Sequence, residues 1–208
     1  MAKKKGLSRP AKVFWGLLAA VLIAITGTWG YNRYMEKKKV DQLYQHGFRL
    51  LEEQIATYIK ENYSGVSKIE FSPIFISGGG QHSFLNLDVV PVVYDEYGNK
   101  ALLAGSTSEG GYPAYGVGGD LYALELDQFG NEIITLRYSA IGDWIDVANY
   151  EHLPEEAKLN SHNTTDSILA IHIKDKKIKG VSKNENGSPK ANIFYNLEIR
   201  KGDWQEWH

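Results

Sequence analysis

The chain has 208 residues, of which 43% are hydrophobic, 23% are charged and none is cysteine. The lack of cysteine excludes disulfides, thiolate metal sites and cysteine nucleophiles. The net charge of −2 hides a segregation: the first 39 residues hold nine Lys/Arg and one Glu, which leaves fourteen basic and twenty-four acidic residues beyond them. Because an acidic domain repels phosphate backbones, we predict no nucleic-acid partner.

Residues 13–32 form an uncharged stretch of twenty residues. As a helix it covers about 30 Å, the thickness of the hydrocarbon core of a bilayer. Trp15 lies near one end and Trp29 and Tyr31 near the other, and such amphipathic rings prefer the two membrane interfaces. A core helix needs no aromatic ends, and a cleaved leader needs a shorter apolar region and a better cleavage site than residues 24–26 offer. We therefore predict an uncleaved transmembrane helix in the lipid bilayer, with Trp15, Trp29 and Tyr31 as interface anchors.

Basic residues on the two sides of this stretch indicate its orientation. Five Lys/Arg lie within residues 1–12 and four within residues 33–39. The more basic flank tends to stay in the cytoplasm, and an inside-negative potential opposes its transfer by about 2.3 kcal/mol per charge per 100 mV. We predict a basic cytoplasmic tail over residues 1–12 and an extracellular domain on a single-pass anchor in the cell membrane.

Residues 33–65 predict a juxtamembrane segment and an amphipathic helix. A coiled-coil heptad is poorly filled here, so we expect the apolar stripe to pack on a sheet. Gly65 can adopt the left-handed conformation that ends a helix, which places the end near Tyr63. Apolar residues and one glycine recur at three- and four-residue steps at Val40, Leu43, Tyr44, Gly47, Phe48, Leu51, Ile55, Tyr58 and Ile59.

The hydrophobic period changes to two beyond residue 65, which predicts strands in the β-rich part, residues 66–208. Two segments, residues 95–100 and 127–132, share the pattern Asp-x-aromatic-Gly-Asn-charge and predict hairpin turns, so the sheet is expected to be mostly antiparallel. Calcium is not favoured at these turns, because the EF-hand spacing is missing. Pro73 and Pro91 belong at edges or bulges. The predicted strands cover residues 68–76, 83–95, 100–105, 120–127 and 132–139.

The last third of the chain predicts three more elements. Residues 152–159 indicate a short helix with Pro154 at its first position. Residues 167–182 predict a hairpin in which His172 faces solvent, and residues 192–204 predict a half-buried strand. The fold class is therefore α+β, with an amphipathic helix packed on a mostly antiparallel sheet, of cystatin-like or NTF2-like type.

No established catalytic or metal-binding motif is present. The histidines form no HExxH pair, no serine lies in G-x-S-x-G, and no Walker loop occurs. We predict no metal and no cofactor. Asp143 and Asp146, on either side of Trp144, are the acids best placed for a hydrolase, although surface-loop acids beside a tryptophan are the alternative.

Residues 105–120, which we call the Gly/Tyr loop, combine six glycines with Tyr112, Tyr115 and one proline. Long loops in compact domains often carry function, and tyrosines on a polar backbone make adaptable contacts with peptides or sugars. The alternative is a mobile hairpin connection. We predict that Tyr112 and Tyr115 are exposed and bind a partner.

Four segments, residues 58–75, 89–105, 152–159 and 195–204, resemble stretches of uncharacterised single-pass membrane-anchored surface proteins of Gram-positive bacteria. The resemblance implies a bacterial surface location and assigns no catalytic residue. We therefore predict a non-enzymatic binding or assembly module of the bacterial envelope, with an envelope protein or glycan as partner. An extracytoplasmic hydrolase that uses Asp143, Asp146 or a histidine is the alternative.

Overall fold

The computed structural model describes residues 9–79, 85–139 and 142–207, with side chains from residue 26 onward. Two compact units make up the chain, Met1–Asp41 and Gln42–His208. Several predictions lie outside the described residues: residues 1–8 of the basic tail, the side chain of Trp15, His82, His208, and the start of the strand predicted from residue 83.

One long helix, α1, runs from Arg9 to Asn62 and contains both predicted helices. In the first unit the rings of Trp29 and Tyr31 are exposed, and the Arg33 guanidinium lies 5.0 Å from the centre of the Trp29 ring. No helix among the described residues is both long and apolar enough to cross a membrane. The predicted span begins at residue 13, ahead of the first described side chain.

In the second unit, α1 is buried on several sides rather than along one stripe. Charged and polar side chains such as Glu52 and Gln54 are buried together with the apolar ones. At Gly47 a Cβ atom would collide with the side chain of Leu124, so glycine lets a strand approach the helix closely. The helix therefore lies at the centre of the core. Its buried apolar residues are Leu43, Phe48, Leu50, Leu51, Ile55, Ala56, Tyr58 and Ile59.

The end of α1 confirms the predicted stop. The helix ends at Asn62, and Gly65 follows with φ +78°. The described strands are, in chain order, β1 Tyr63–Ser64, β2 Val66–Phe71, β3 Ile74–Gly78, β4 Leu85–Val89, β5 Pro91–Asp95, β6 Lys100–Leu102, β7 Gly105–Thr107, β8 Gly110–Tyr112, β9 Tyr115–Gly116, β10 Leu121–Leu126, β11 Glu132–Arg137, β12 Trp144–Asp146, β13 Ser182–Lys183, β14 Asn192–Phe194 and β15 Ile199–Lys201. The other helices are η1 Glu155–Ala157, α2 Asn163–Lys174 and η2 Trp204–Glu206.

These strands form several small sheets instead of one. The orders are β14-β2-β5-β6, β15-β3-β4-β9, β10-β11-β12, β1-β13 and β7-β8. Among the pairings between the described strands, only two are parallel, β14 with β2 and β15 with β3. The α+β class and the mostly antiparallel pairing are thus confirmed, while the expected single sheet is replaced by separate sheets around α1.

Both predicted hairpin turns are confirmed. The first joins β5 to β6 and the second joins β10 to β11. In each turn an Asp carboxylate accepts hydrogen bonds from two backbone N–H groups, those of Tyr97 and Asn99 for Asp95 and the equivalent pair for Asp127. Pro91 begins β5, and Pro73 lies between β2 and β3.

The hairpin predicted over residues 167–182 is wrong. Helix α2 occupies the first half of that segment, with His162 as its N-cap. The buried residues of this segment are spaced as on one face of a helix: Ile168, Leu169, Ile171 and His172. The same segment also shows the alternation of apolar residues that is typical of a strand, so its pattern fits both structures. His172 is therefore only 3% exposed instead of solvated.

The C-terminal strand predicted over residues 192–204 is broken into β14 and β15. Phe194 pairs with Glu70 of β2, and Ile199 pairs with Ile74 of β3. The break faces the interruption between β2 and β3, where Pro73 has no N–H to donate. The predicted apolar face is confirmed, since Ile193, Tyr195, Leu197 and Ile199 all pack on the core. The short helix predicted at 152–159 is the 3-10 helix η1, with Pro154 at its N-cap.

Candidate functional site

The Gly/Tyr loop is a structured segment held at both ends. Strand β7 pairs with β8 across a turn in which the Thr107 hydroxyl donates to the Gly110 carbonyl over 2.9 Å. Strand β9 pairs with β4, and a Cβ atom at Gly116 would collide with the Leu87 carbonyl. Glycine is required at this position because the two backbones approach closely. The loop thus consists of a hairpin followed by a short strand at the edge of a sheet.

Three adjoining cavities, which together we call the loop groove, lie along this segment. The main cavity, of about 490 Å³, is lined by Lys100, Ala101, Leu102, Ala104, Gly105, Ser106, His172, Lys177, Trp204 and Gln205. The middle cavity, of about 420 Å³, shares four of these residues and adds Asn86, Asp88, Gly111, Tyr112, Pro113 and Ala114. The third, of about 280 Å³, shares Asp88, Pro113 and Ala114 and continues along the loop to Asp120 and Arg137.

His172, which lines the main cavity, has one ring nitrogen without a hydrogen-bond partner among the described residues. Its Nε2 lies 2.9 Å from the Leu102 carbonyl oxygen, which only accepts, so Nε2 carries the proton and Nδ1 keeps a lone pair. Nδ1 is buried and has no hydrogen-bond partner among the described residues. Burial lowers the pKa of His172, and the positive charge of Lys177 adds to this effect, while the hydrogen bond to the Leu102 carbonyl opposes it. Leaving such an acceptor unsatisfied costs about 1–3 kcal/mol.

Two lysines and a tryptophan complete the main cavity. Lys100 at the start of β6 and Lys177 just after α2 are both exposed, and no described carboxylate lies within ion-pair distance of either amine. No acidic residue lines this cavity. Trp204 is half-buried in η2, where the Asp203 carboxylate caps the helix by accepting from the Gln205 N–H over 2.9 Å. The cavity therefore combines positive charge with an aromatic surface.

The middle cavity differs in charge because it contains Asp88. Burial raises the pKa of Asp88 to about 6, and the negative charge of Asp203 adds to this effect. No described residue donates a hydrogen bond to the Asp88 carboxylate. The loop groove thus runs from a cationic end at Lys100 to a part that contains a weakly acidic carboxyl group.

Behind the loop lies a closed hydrogen-bond network. His162 Nε2 donates to Asp120 Oδ1 over 2.9 Å, and His162 Nδ1 accepts from the Thr165 hydroxyl over 2.7 Å. The Tyr115 hydroxyl lies 2.9 Å from the same Thr165 oxygen, and Arg137 donates to Asp120 over 2.8 Å. The order carboxylate, imidazole and hydroxyl is that of a nucleophilic triad. However, Thr165 is 1% exposed and its hydroxyl is used twice, so the network serves to position α2.

Tyr115 belongs to this network, and its expected exposure is wrong. The side chain is 1% exposed, and its ring stacks on His162 with centroids 5.5 Å apart. The Tyr115 hydroxyl points toward the interior of the protein, where it meets the Thr165 hydroxyl of α2. Tyr112 is half-buried and lines the middle cavity. The binding role predicted for these two tyrosines stays a prediction.

Replacing Tyr115 by phenylalanine is expected to lower the free energy of unfolding by about 1–2 kcal/mol, because it removes one buried hydrogen bond and keeps the ring. Urea denaturation of the full chain measures the loss. Tyr150→Phe is the matched control, since Tyr150 is 46% exposed and no described residue bonds to its hydroxyl. Equal effects of the two substitutions would contradict a structural role for the Tyr115 hydroxyl.

The two acids proposed for hydrolysis serve as turn acceptors. Asp143 accepts from the Ser139 hydroxyl over 2.9 Å, and Asp146 accepts from the Ala148 N–H over 3.0 Å. Trp144, between them, is 38% exposed and packs on Tyr122. Among the described residues, no group of three or more His, Asp or Glu is arranged to hold a metal.

No local pattern in the sequence points to the residues that line the main cavity. They lie far apart in the chain: Lys100 in β6, His172 in α2, Lys177 after α2 and Trp204 in η2. The predicted hairpin, moreover, places His172 in a strand. A helical reading of residues 163–174, which begin with an N-cap and an acidic first turn, would have buried His172. Comparison of the chain with protein-family models, curated proteins and solved structures finds no match.

Proposed function

We propose that the chain is a membrane-anchored extracytoplasmic binding module of the bacterial envelope, and that the loop groove is its ligand site. The anchor is proposed from the uncharged residues 13–32 and their aromatic ends, and the orientation from the basic flank. A cystatin-like or NTF2-like arrangement of the sheets also stays a prediction.

The observation that carries this proposal is the composition of the main cavity. Its wall combines two exposed lysines and an aromatic ring with no lining carboxylate, a composition suited to an anionic ligand. The volume of about 490 Å³ lies within the range of small-molecule sites. The Gly/Tyr loop contributes Gly105 and Ser106 to the wall, which supports the predicted binding role of the loop itself.

The alternative hypothesis, an extracytoplasmic hydrolase, has less support than a binding module. Asp143 and Asp146 are engaged in turns, and neither lines the loop groove. The Asp120, His162 and Thr165 network has the atoms of a triad, but a substrate carbonyl cannot reach a hydroxyl that is 1% exposed. Binding without catalysis is therefore the function that the geometry supports best.

Site-specific photo-cross-linking in living bacteria tests the proposal. A benzophenone amino acid placed at Ser106, which is exposed on the wall of two cavities, is expected to give a discrete adduct when the full anchored chain is irradiated. The same residue placed at Glu185, exposed in the turn after β13, is the control. A discrete adduct from Ser106 alone supports the loop groove as the ligand site. No adduct, or the same adduct from both positions, would contradict it.

A further inference from the structure

We infer that His46 is a proton-dependent clamp that holds the loop between β12 and η1, residues 147–154, on helix α1, and that the middle of this loop opens when His46 loses its proton. The clamp consists of His46 on α1, Glu132 at the start of β11 and the Tyr150 carbonyl in the loop. The inference goes beyond the proposed function and does not depend on the loop groove.

The two ring nitrogens of His46 both face oxygen atoms that accept hydrogen bonds. Nδ1 lies 2.5 Å from the Glu132 carboxylate, and Nε2 lies 2.8 Å from the Tyr150 carbonyl oxygen. A carboxylate and a backbone carbonyl only accept, and a neutral imidazole has a single N–H to donate. A neutral ring would therefore place a nitrogen lone pair against one of the two oxygens. Both contacts are satisfied together only when the ring is an imidazolium, which donates from both nitrogens.

The surroundings of His46 favour the charged ring. Burial lowers the pKa of His46, but the hydrogen bonds to the Tyr150 carbonyl and the Glu132 carboxylate, together with the charge of Glu132, outweigh it and raise the pKa above the ordinary value of 6.5. Stability from the clamp is therefore fully present below about pH 6.5 and is lost as the pH rises through the raised pKa of the folded protein. The clamp is closed in mild acid and opens above neutral pH.

Other ionisable side chains near the clamp are engaged elsewhere or exposed. They are Arg49 and Glu53 on α1 and Glu151 and His152 in the loop. Arg49 donates to the Glu53 carboxylate over 2.8 Å, and His152 lies 3.0 Å from the same oxygen. Glu151 is exposed to solvent. The charge that acts directly on His46 is thus that of Glu132.

The loop is fixed at both ends, and His46 binds its middle. At the start, Val147 is buried and its N–H donates to the Ile134 carbonyl over 2.8 Å. At the end, the Leu153 N–H donates to the Glu53 carboxylate over 2.7 Å. The residues from 149 to 152 are exposed. Loss of the His46 bond therefore frees an exposed stretch while both ends stay attached, a local opening that costs less free energy than global unfolding.

Hydrogen exchange measured by mass spectrometry on the full chain, in a neutral detergent, tests the inference. Protection of the amides in residues 148–152 is compared at pH 6 and pH 8.5, after correction for the intrinsic effect of pH on exchange. His46→Gln is measured in parallel, because Glu52 also titrates near pH 8 and its effect is common to both proteins. We expect the loss of protection between the two pH values to be at least about threefold larger in the parent than in His46→Gln.

Two further variants separate the clamp from a general effect of histidine. Glu132→Gln presents an amide that can donate to a neutral ring or accept from it, so it removes the need for the second proton. It is expected to lower the pKa of His46, read from the ring Cε1–H in an NMR titration. His152→Gln is the matched control: His152 is 71% exposed, and its one described contact, through Nδ1 to Glu53, needs only a neutral ring. This control is expected to keep the pH step of the parent.

Equal pH ratios in the parent and in His46→Gln would overturn the inference, as would a step that His152→Gln abolishes and His46→Gln keeps. A pKa of His46 at or below about 6.5 in the parent would also overturn it. If His46→Gln fails to fold, the NMR titrations of the parent and of Glu132→Gln decide. The cross-linking experiment at Ser106 is independent of these results, so failure of the clamp leaves the proposed function standing.

Discussion

Replacing Glu52 by glutamine is expected to make the protein more stable at pH 8 by roughly 3–5 kcal/mol, and to change its stability little at pH 4. Glu52 lies on α1 and is fully buried. Its Oε2 accepts from the Asn196 N–H over 3.1 Å, and its Oε1 is buried without a partner among the described residues. Burial raises the pKa of Glu52 to about 8, and the charge of Glu53 adds to this effect, while the Asn196 bond and Arg49 oppose it.

The direction follows from where the proton is bound. In the unfolded chain the carboxyl group titrates near its ordinary pKa of about 4.5, whereas in the folded protein it keeps the proton until about pH 8. The stabilisation by protonated Glu52 is complete below about pH 4.5 and is lost as the pH rises to about 8. Glutamine resembles the protonated acid and does not titrate, so the variant lacks this loss.

Urea denaturation of both proteins between pH 4 and pH 9 measures the effect. Glu53→Gln is the control on the adjacent residue. Burial acts to raise the pKa of Glu53, but hydrogen bonds from Leu153, His152 and Arg49 outweigh it and lower the pKa. Stability from Glu53 is therefore present above the unfolded pKa, and the control variant is expected to be less stable than the parent at neutral pH. Parallel pH profiles for the parent and the Glu52→Gln variant would contradict the prediction.

Replacing Asp95 by alanine is expected to lower the free energy of unfolding by about 2–4 kcal/mol. The Asp95 carboxylate is 1% exposed and accepts from the N–H groups of Tyr97 and Asn99 over 2.9 Å each, and from the Asn99 side-chain amide over 2.7 Å. It also accepts from the Lys179 N–H over 2.7 Å, which ties the segment after α2 to this turn. Burial opposes ionisation, but these bonds outweigh it and lower the pKa of Asp95.

The second turn provides the matched control. Asp127 makes the same three bonds within its turn, to Phe129 and Asn131, but it is only half-buried and receives no bond from a distant described segment. Asp127→Ala is therefore expected to have a clearly smaller effect in urea denaturation at pH 7. If both substitutions cost the same, the bond from Lys179 and the burial of Asp95 contribute nothing measurable.

Local patterns in the sequence were sufficient for the elements whose geometry depends on nearby residues. The end of α1 before Gly65 and both Asp-x-aromatic-Gly-Asn turns are set by glycine conformation and by hydrogen bonds that span no more than four residues. The α+β class and the antiparallel pairing follow from the same short-range features. Two predictions of secondary structure are wrong. At residues 168–174 the hydrophobic pattern fits both a helix and a strand. Opposite Pro73 the predicted C-terminal strand is broken because its partner strands β2 and β3 are interrupted.

The candidate site could be foreseen only in part. The glycines identified residues 105–120 as an unusual loop, but nothing local buries Tyr115 or brings Lys100, His172, Lys177 and Trp204 to one cavity. Likewise, the two turns have equal patterns, yet only Asp95 is buried against another segment.

The sequence by itself determined the end of α1, the two Asp-x-aromatic-Gly-Asn turns, the segregation of charge, and the location of the Gly/Tyr loop in the chain. The tertiary structure decided which face of each element is buried and which side chains meet in the loop groove. The reason is physical: turns and helix ends depend on bonds between neighbours, whereas a cavity depends on contacts between residues that lie far apart in the chain.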